Sequence, residues 1–222
     1  MSVTPTPTER NPMKTLLCYG DSNTHGTSPL LPDGSWHRYG PETRWPRRLA
    51  SLLGPDWHVI EEGLPGRTTC HDNPFDGPHK NGLRHLPVAL ECHAPLDLFA
   101  VMLGTNDLKA YFGLTPFDIA KGIRTLLTMV QQRAPGRDGK PPALLVISPV
   151  PIDEVGAWGE SLAGGAAKSR RLADYLAEVA EEFGALFFDA GSVAQASPVD
   201  GVHLSEEAHL AIADGLAKLL RK

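Results

Sequence analysis

The chain has 222 residues, 41% hydrophobic and 21% charged, a composition that fits one soluble globular domain with a single core and excludes a disordered polymer or a fibrous repeat. Its formal charge of -5, with no basic stripe, argues against a nucleic-acid partner; the densest basic group, Arg44, Arg47 and Arg48, has the spacing of a helix's outer face. Cys18, Cys70 and Cys92 lack C-x-x-C spacing and no window approaches the roughly 18 apolar residues of a membrane span, so no disulfide framework, zinc knuckle or membrane partner is expected, and the expected location is cytoplasmic.

Residues 1–12 are rich in Pro and Thr and read as a flexible tail before a single domain over 13–222. The first apolar run, KTLLCY (14–19), reads as a strand and leads straight into the glycine-bracketed stretch CYGDSNTHG (18–26). A Gly/Pro-rich loop over 25–40 precedes a helical pattern over 41–53, a second strand WHVIEEG (57–63) and a helix over 82–92. The third strand, LDLFAVML (96–103), is followed by GTND (104–107) and a helix over 116–132, for which Thr115-Pro116 supplies an N-cap and an N1 proline. Then come a fourth strand over 143–150, a long loop over 151–165, a helical pattern from about 161 to 183, a fifth strand ALFFDA (185–190) and a helix over 205–220 capped by Ser205. Each strand reads as fully buried. The alternation implies right-handed crossovers and an α/β fold: a three-layer α/β/α sandwich around a five-stranded parallel sheet, flavodoxin-like in plan.

Ligands of such a sheet bind outside the carboxyl ends of its strands. Every strand but the fourth is followed there by a polar, glycine-bearing loop: Gly20-Asp21-Ser22, then Gly63 to Thr69, then Gly104 to Asp107, and finally Asp189 with Asp200 to His203. A serine hydroxyl becomes a nucleophile only with a base in reach and a third group to orient that base. Asp200 and His203, three residues apart, can form such a pair within one loop. The expected roles are Ser22 as nucleophile, His203 as general base and then acid, and Asp200 as the group fixing the imidazole tautomer. Oxyanion donors are available in the backbone N–H of Ser22, the backbone N–H of Gly63 and the side-chain amide of Asn106.

These residues carry a resemblance. Ser22 in GDSNT, Gly63, Asn106 in GTND and His203 in DGVH resemble, in order, the four blocks of the SGNH hydrolases, also called GDSL esterases and lipases. EEGLPGRTT, VMLGTNDLKAYF, TPFDIAKG and FFDAGSV followed by DGVHLSE are similar to the bacterial arylesterase/acyltransferase (perhydrolase) subgroup. The resemblance implies the SGNH hydrolase fold and an esterase of small and aryl esters that also transfers acyl groups to alcohols or hydrogen peroxide. It implies no cofactor and a homo-oligomer, octamers being known in the subgroup. Two departures bear on the acyl pocket and on the loop after the second strand: Asn23 where the family commonly has Leu, and Pro65 where the subgroup often has Ser.

Several residues have competing readings. Asp189 rivals Asp200 as the orienting acid, and His209 rivals His203 as the base, although the helical pattern sets His209 on a solvated or subunit-facing surface. Asp21 is expected to accept loop N–H bonds and Asp107 to cap a following helix. His71, His79, His85 and His93 with Asp72 and Asp76 lack metal-ligand spacing, so no metal is expected. Arg67 and Lys109 read as ion-pair residues, and Trp36, Trp45 and Trp158 as pocket walls or subunit contacts. There is no G-x-S-x-G, G-x-x-x-x-G-K-[ST] or G-x-G-x-x-G motif, which disfavours an α/β-hydrolase elbow and nucleotide or dinucleotide sites. A carbohydrate O-deacetylase or thioesterase of the same fold, or a non-catalytic flavodoxin-like binder, are the remaining alternatives.

Overall fold

The computed structural model describes residues 13–134 and 136–221; the expected tail over 1–12 lies outside them. Five parallel strands, β1 (Lys14–Gly20), β2 (Trp57–Gly63), β3 (Leu98–Met102), β4 (Ala143–Ser148) and β5 (Leu186–Asp189), form one sheet in the order β2-β1-β3-β4-β5. Among the described residues six α-helices lie in the connections, α1 (Ser22–His25), α2 (Trp45–Leu53), α3 (Gly82–His93), α4 (Pro116–Arg133), α5 (Gly165–Ser169) and α6 (Leu172–Glu182), and α7 (Glu206–Leu220) follows β5. The expected three-layer α/β/α sandwich is the observed fold.

Successive strand residues face opposite sides of a sheet, and β1 divides accordingly. Leu17 and Tyr19 join Phe99 and Val101 under α3, α4 and α6, while Leu16 and Cys18 join Leu98 and Ala100 under α2 and α7. Each such fully buried Leu or Phe contributes about 1.5–3 kcal/mol, so the central strands hold both layers to one sheet. The capping boundaries follow the sequence: Thr115 accepts from the Asp118 N–H, and Ser205 from the Ala208 N–H.

Three expectations change. β2 and β5 are edge strands and only partly buried, so full burial holds for the three central strands rather than all five. The helix expected over 41–53 starts at Trp45, not residue 41. The segment expected to be one helix from about 161 to 183 is two, α5 and α6, broken at Arg170-Arg171. In the order 2-1-3, β2 and β3 flank β1 on opposite sides, so the connections from β1 and β3 diverge and leave a crevice at their carboxyl ends.

Candidate functional site

β1 ends at Gly20 because the backbone must turn where there is no room for a side chain: a Cβ there would meet the Thr24 side chain and lie 2.9 Å from the Met102 carbonyl. Asp21 then caps α1, its carboxylate accepting from the Asn23 N–H at 2.9 Å. Ser22 is the first residue of that single-turn helix, and its carbonyl accepts from Gly26 and Thr27 at 2.9 and 3.0 Å. Gly26, at φ +83°, closes the turn in the left-handed region. Ser22 is buried yet borders a cavity of about 420 Å³.

The same cavity is bordered by His203, Thr105, Asn106, Pro65 and Gly66. Nδ1 of His203 lies 2.6 Å from Oδ2 of Asp200, which also accepts from the Leu30 N–H at 2.8 Å; Oδ1 accepts from the Val202 and His203 N–H groups, each at 3.0 Å. Burial works to raise the Asp200 carboxyl, but the bonds from the His203 ring, Leu30 and the His203 backbone outweigh it and hold the group at about 2. An ionised Asp200 requires the Nδ1–H tautomer and leaves Nε2 of His203 as a base in the cavity that Ser22 borders. Asp189, the rival acid, instead accepts from the Gly191 N–H just beyond β5.

Asn106 follows β3, and its Nδ2 donates to the Arg67 carbonyl at 3.2 Å with a long contact to Asp21 at 3.5 Å. Gly63 is not at the cavity. It pairs with Gly20 at the end of β2, and a Cβ there would run into the backbone of Thr24 and His25, so its role is the close packing of β2 beneath α1. Three residues on, Gly66 borders the cavity at φ +80°. The Pro65-Gly66 turn signal marks the loop, but the strand pattern that ends at Gly63 drew attention to the wrong glycine.

Arg67 makes the expected ion pair, its Nη2 3.9 Å from Oε2 of Glu62, but it is buried. Its Nη1 donates to the Gly20 carbonyl at 2.8 Å and to the Glu62 carbonyl, binding the ends of β1 and β2 together, and its guanidinium lies 4.1 Å from the centre of the Tyr19 ring. Asp107 caps nothing: it is fully buried and accepts from the Thr69 N–H and hydroxyl, fixing the loop after β2 to the loop after β3. Burial raises its carboxyl above the usual range. His209 is wholly buried rather than surface-facing; burial lowers it to about 3, and Nδ1 accepts from the Trp45 N–H at 3.4 Å. Arg44, expected on an outer face, turns onto Glu61 in a bidentate pair at 2.9 Å.

Two long loops form the cavity walls. The loop over 25–40 supplies Leu30 and Trp36, and the loop over 151–165 supplies Trp158 and Leu162, so β4 also delivers a loop to this edge. Trp45 is different: as the first residue of α2 it packs into the core between α2, α7 and the sheet. Lys80, Lys109 and Asp76 give the cavity a polar side, with Lys109 Nζ 3.8 Å from Asp76 and Lys80 Nζ donating to the Pro65 carbonyl at 2.8 Å. Among the described residues no group of three or more His, Cys, Asp and Glu could hold a metal, and no helix is long and apolar enough to cross a membrane.

The sequence profile of the GDSL-like lipase/acylhydrolase family matches residues 18–211. Among solved structures the chain is similar to the M. smegmatis aryl esterase, at 43% identity and TM-score 0.88 over 94% of this chain and 98% of that one. It is similar also to a carbohydrate acetylesterase from Sinorhizobium meliloti, at 38% identity and TM-score 0.88 over the same 94% and 98%. A carbohydrate acetylesterase family member from the same organism gives 43% identity and TM-score 0.87, again over 94% and 98%. No curated protein sequence matches the chain. A serine at the first turn after β1, an aspartate-bound imidazole before α7 and a family profile spanning both lead to one conclusion: the chain belongs to the GDSL-like lipase/acylhydrolase family.

Proposed function

We propose that this acylhydrolase is a serine esterase of short-chain and aryl carboxylic esters that works through an acyl-enzyme. The observation that carries the reading is the Asp200–His203 bond of 2.6 Å beside a cavity that Ser22 shares. His203 Nε2 takes the Ser22 hydroxyl proton as Oγ adds to the ester carbonyl. The resulting oxyanion is met by the Ser22 N–H, the Asn106 amide and, in place of Gly63, the Gly66 N–H. Collapse breaks the bond to the leaving alkoxide, which receives the proton from His203. Water, deprotonated by the same ring, then releases the acid; an alcohol or hydrogen peroxide in its place yields a new ester or a peracid.

The apolar walls of Trp36, Trp158, Leu30 and Leu162 support a small aryl or alkyl ester. Lys80, Lys109 and Asp76 favour a second reading, a carbohydrate O-deacetylase, because a sugar's hydroxyls need such partners. A homo-oligomer is part of the proposal, supported by exposed Trp36 at the cavity and by the exposed pair Phe75 and Tyr111, which meet edge to face with ring centres 4.9 Å apart. So is a cytoplasmic location, supported by three cysteines that are all free.

The test is turnover of p-nitrophenyl acetate with and without added alcohol, against an acetylated sugar, for wild type and Ser22→Ala. Nitrophenol release that disappears in Ser22→Ala, with a new ester formed in alcohol, is the expected result. Release that persists in the variant overturns the serine mechanism, and deacetylation of the sugar alone favours the second reading.

A further inference from the structure

Asn23 is almost wholly buried, and its side chain reaches across the site rather than into it. Nδ2 donates to the Val202 carbonyl at 3.2 Å, and Oδ1 accepts from the Leu204 N–H at 3.2 Å. These two backbone groups flank His203 on either side. Asn23 itself is bonded along the chain to Ser22. One planar amide therefore ties the turn that carries the serine to the loop that carries the imidazole, across 179 and 181 residues of sequence.

An amide is the side chain this span requires. It offers one donor and one acceptor in a fixed plane, matched here to a carbonyl and an N–H two residues apart. A leucine offers neither and would leave two buried backbone groups without partners, at the full desolvation cost of each. We infer that Asn23 is a positioning residue for the ester chemistry: through its two bonds it sets the separation of Ser22 Oγ and His203 Nε2, without touching substrate. The inference rests on the serine-esterase reading for its consequence, but not for the clamp itself. Asp200 holds the His203 ring directly and is itself held by the Leu30 N–H; Asn23 registers the whole loop against α1.

The experiment compares wild type, Asn23→Leu and Asn23→Asp for kcat and KM on p-nitrophenyl acetate, for thermal midpoint, and for hydrogen exchange at the Leu204 amide. Asn23→Leu is expected to lower kcat about 10²-fold, the loss that follows a misplacement of about 1 Å in a reacting pair. KM should stay within about threefold, since the substrate's own contacts remain. Asn23→Asp keeps an acceptor for Leu204 but sets an oxygen against the Val202 carbonyl, and it should lose about tenfold in kcat at unchanged KM. Leu204 exchange should accelerate in Asn23→Leu. If that variant does not fold, Asn23→Asp decides. A folded variant with kcat within about twofold of wild type, or a loss of rate that follows the folded fraction, overturns the positioning role. Unchanged Leu204 exchange overturns the clamp regardless of substrate. Accelerated exchange in a protein that turns over no ester in any form overturns the esterase reading and leaves the clamp standing.

Discussion

The turn after β1 and the loop before α7 each bury an aspartate beside the cavity, and the two carboxyls titrate in opposite directions. Asp200 receives four N–H groups, from Leu30, Val202, the His203 backbone and the His203 ring. It is held at about 2. Asp21 receives one good bond, from the Asn23 N–H, and the 3.5 Å contact from Asn106; burial pushes it up to about 6 despite the attraction of His203. Both are buried, but Asp21 is the more deeply desolvated and Asp200 has more donors, and the two effects together decide which carboxylate stays charged. A charged Asp200 can stabilise an imidazolium, whereas Asp21 serves as a helix cap.

Asp200→Asn attacks that difference most directly. An amide nitrogen cannot accept, so one pair of the four donors is left facing another donor and the His203 tautomer reverses. The expected fall in kcat is about 10⁴-fold, with the fold retained. Steady-state kinetics together with circular dichroism check it, and undiminished turnover would transfer the role to Asp189.

Asn106→Ala removes an amide from the cavity and the long contact to Asp21 at once. Turnover should drop about 10²- to 10³-fold through loss of an oxyanion donor. A normal kcat would confine Asn106 to its bond with the Arg67 carbonyl.

Asp21→Asn should have the smallest effect on rate, because asparagine caps a helix about as well as aspartate. Its signature is in stability. The folded protein holds the Asp21 proton up to about 6 while the unfolded chain releases it near 3.8, so the wild type loses stability as pH rises through that window. The variant's advantage over wild type should therefore grow from about pH 4 to pH 7, by on the order of 2–3 kcal/mol. Asp200 has the opposite sign: its contribution is complete above about pH 4 and disappears as pH falls toward 2. Denaturant melts at several pH values separate the two, and a constant gap between wild type and Asp21→Asn would refute the assignment for Asp21.

The five strands could be read from apolar runs because the three central ones are buried on both faces, and the Asp200–His203 pair because its spacing of three follows from a local turn. That Ser22 and Asn106 reach the cavity was legible because each lies in the loop at a strand's carboxyl end. That Gly66 rather than Gly63 borders the cavity was not legible because β2's pattern reaches to its last residue, and a glycine needed for packing looks the same in sequence as one that borders a cavity. His209 was misplaced although it lies four residues before Ala213 and seven before Leu216, on a buried stripe of α7; its polarity obscured that periodicity. Asn23, Arg67 and Asp107 were the hardest to read. Their partners lie 181, 47 and 38 residues away, and no local rule links them.

The separation bridged by Asn23 bears on how the protein comes into being. The serine turn is complete once residue 27 has been made, but its partner loop is synthesised last but one among the elements, ahead only of α7. Contacts so distant in sequence close late in folding. A nascent or partly folded chain thus carries Ser22 without His203, and under the proposed mechanism hydrolytic activity becomes a signal that the two halves of the sheet have come together.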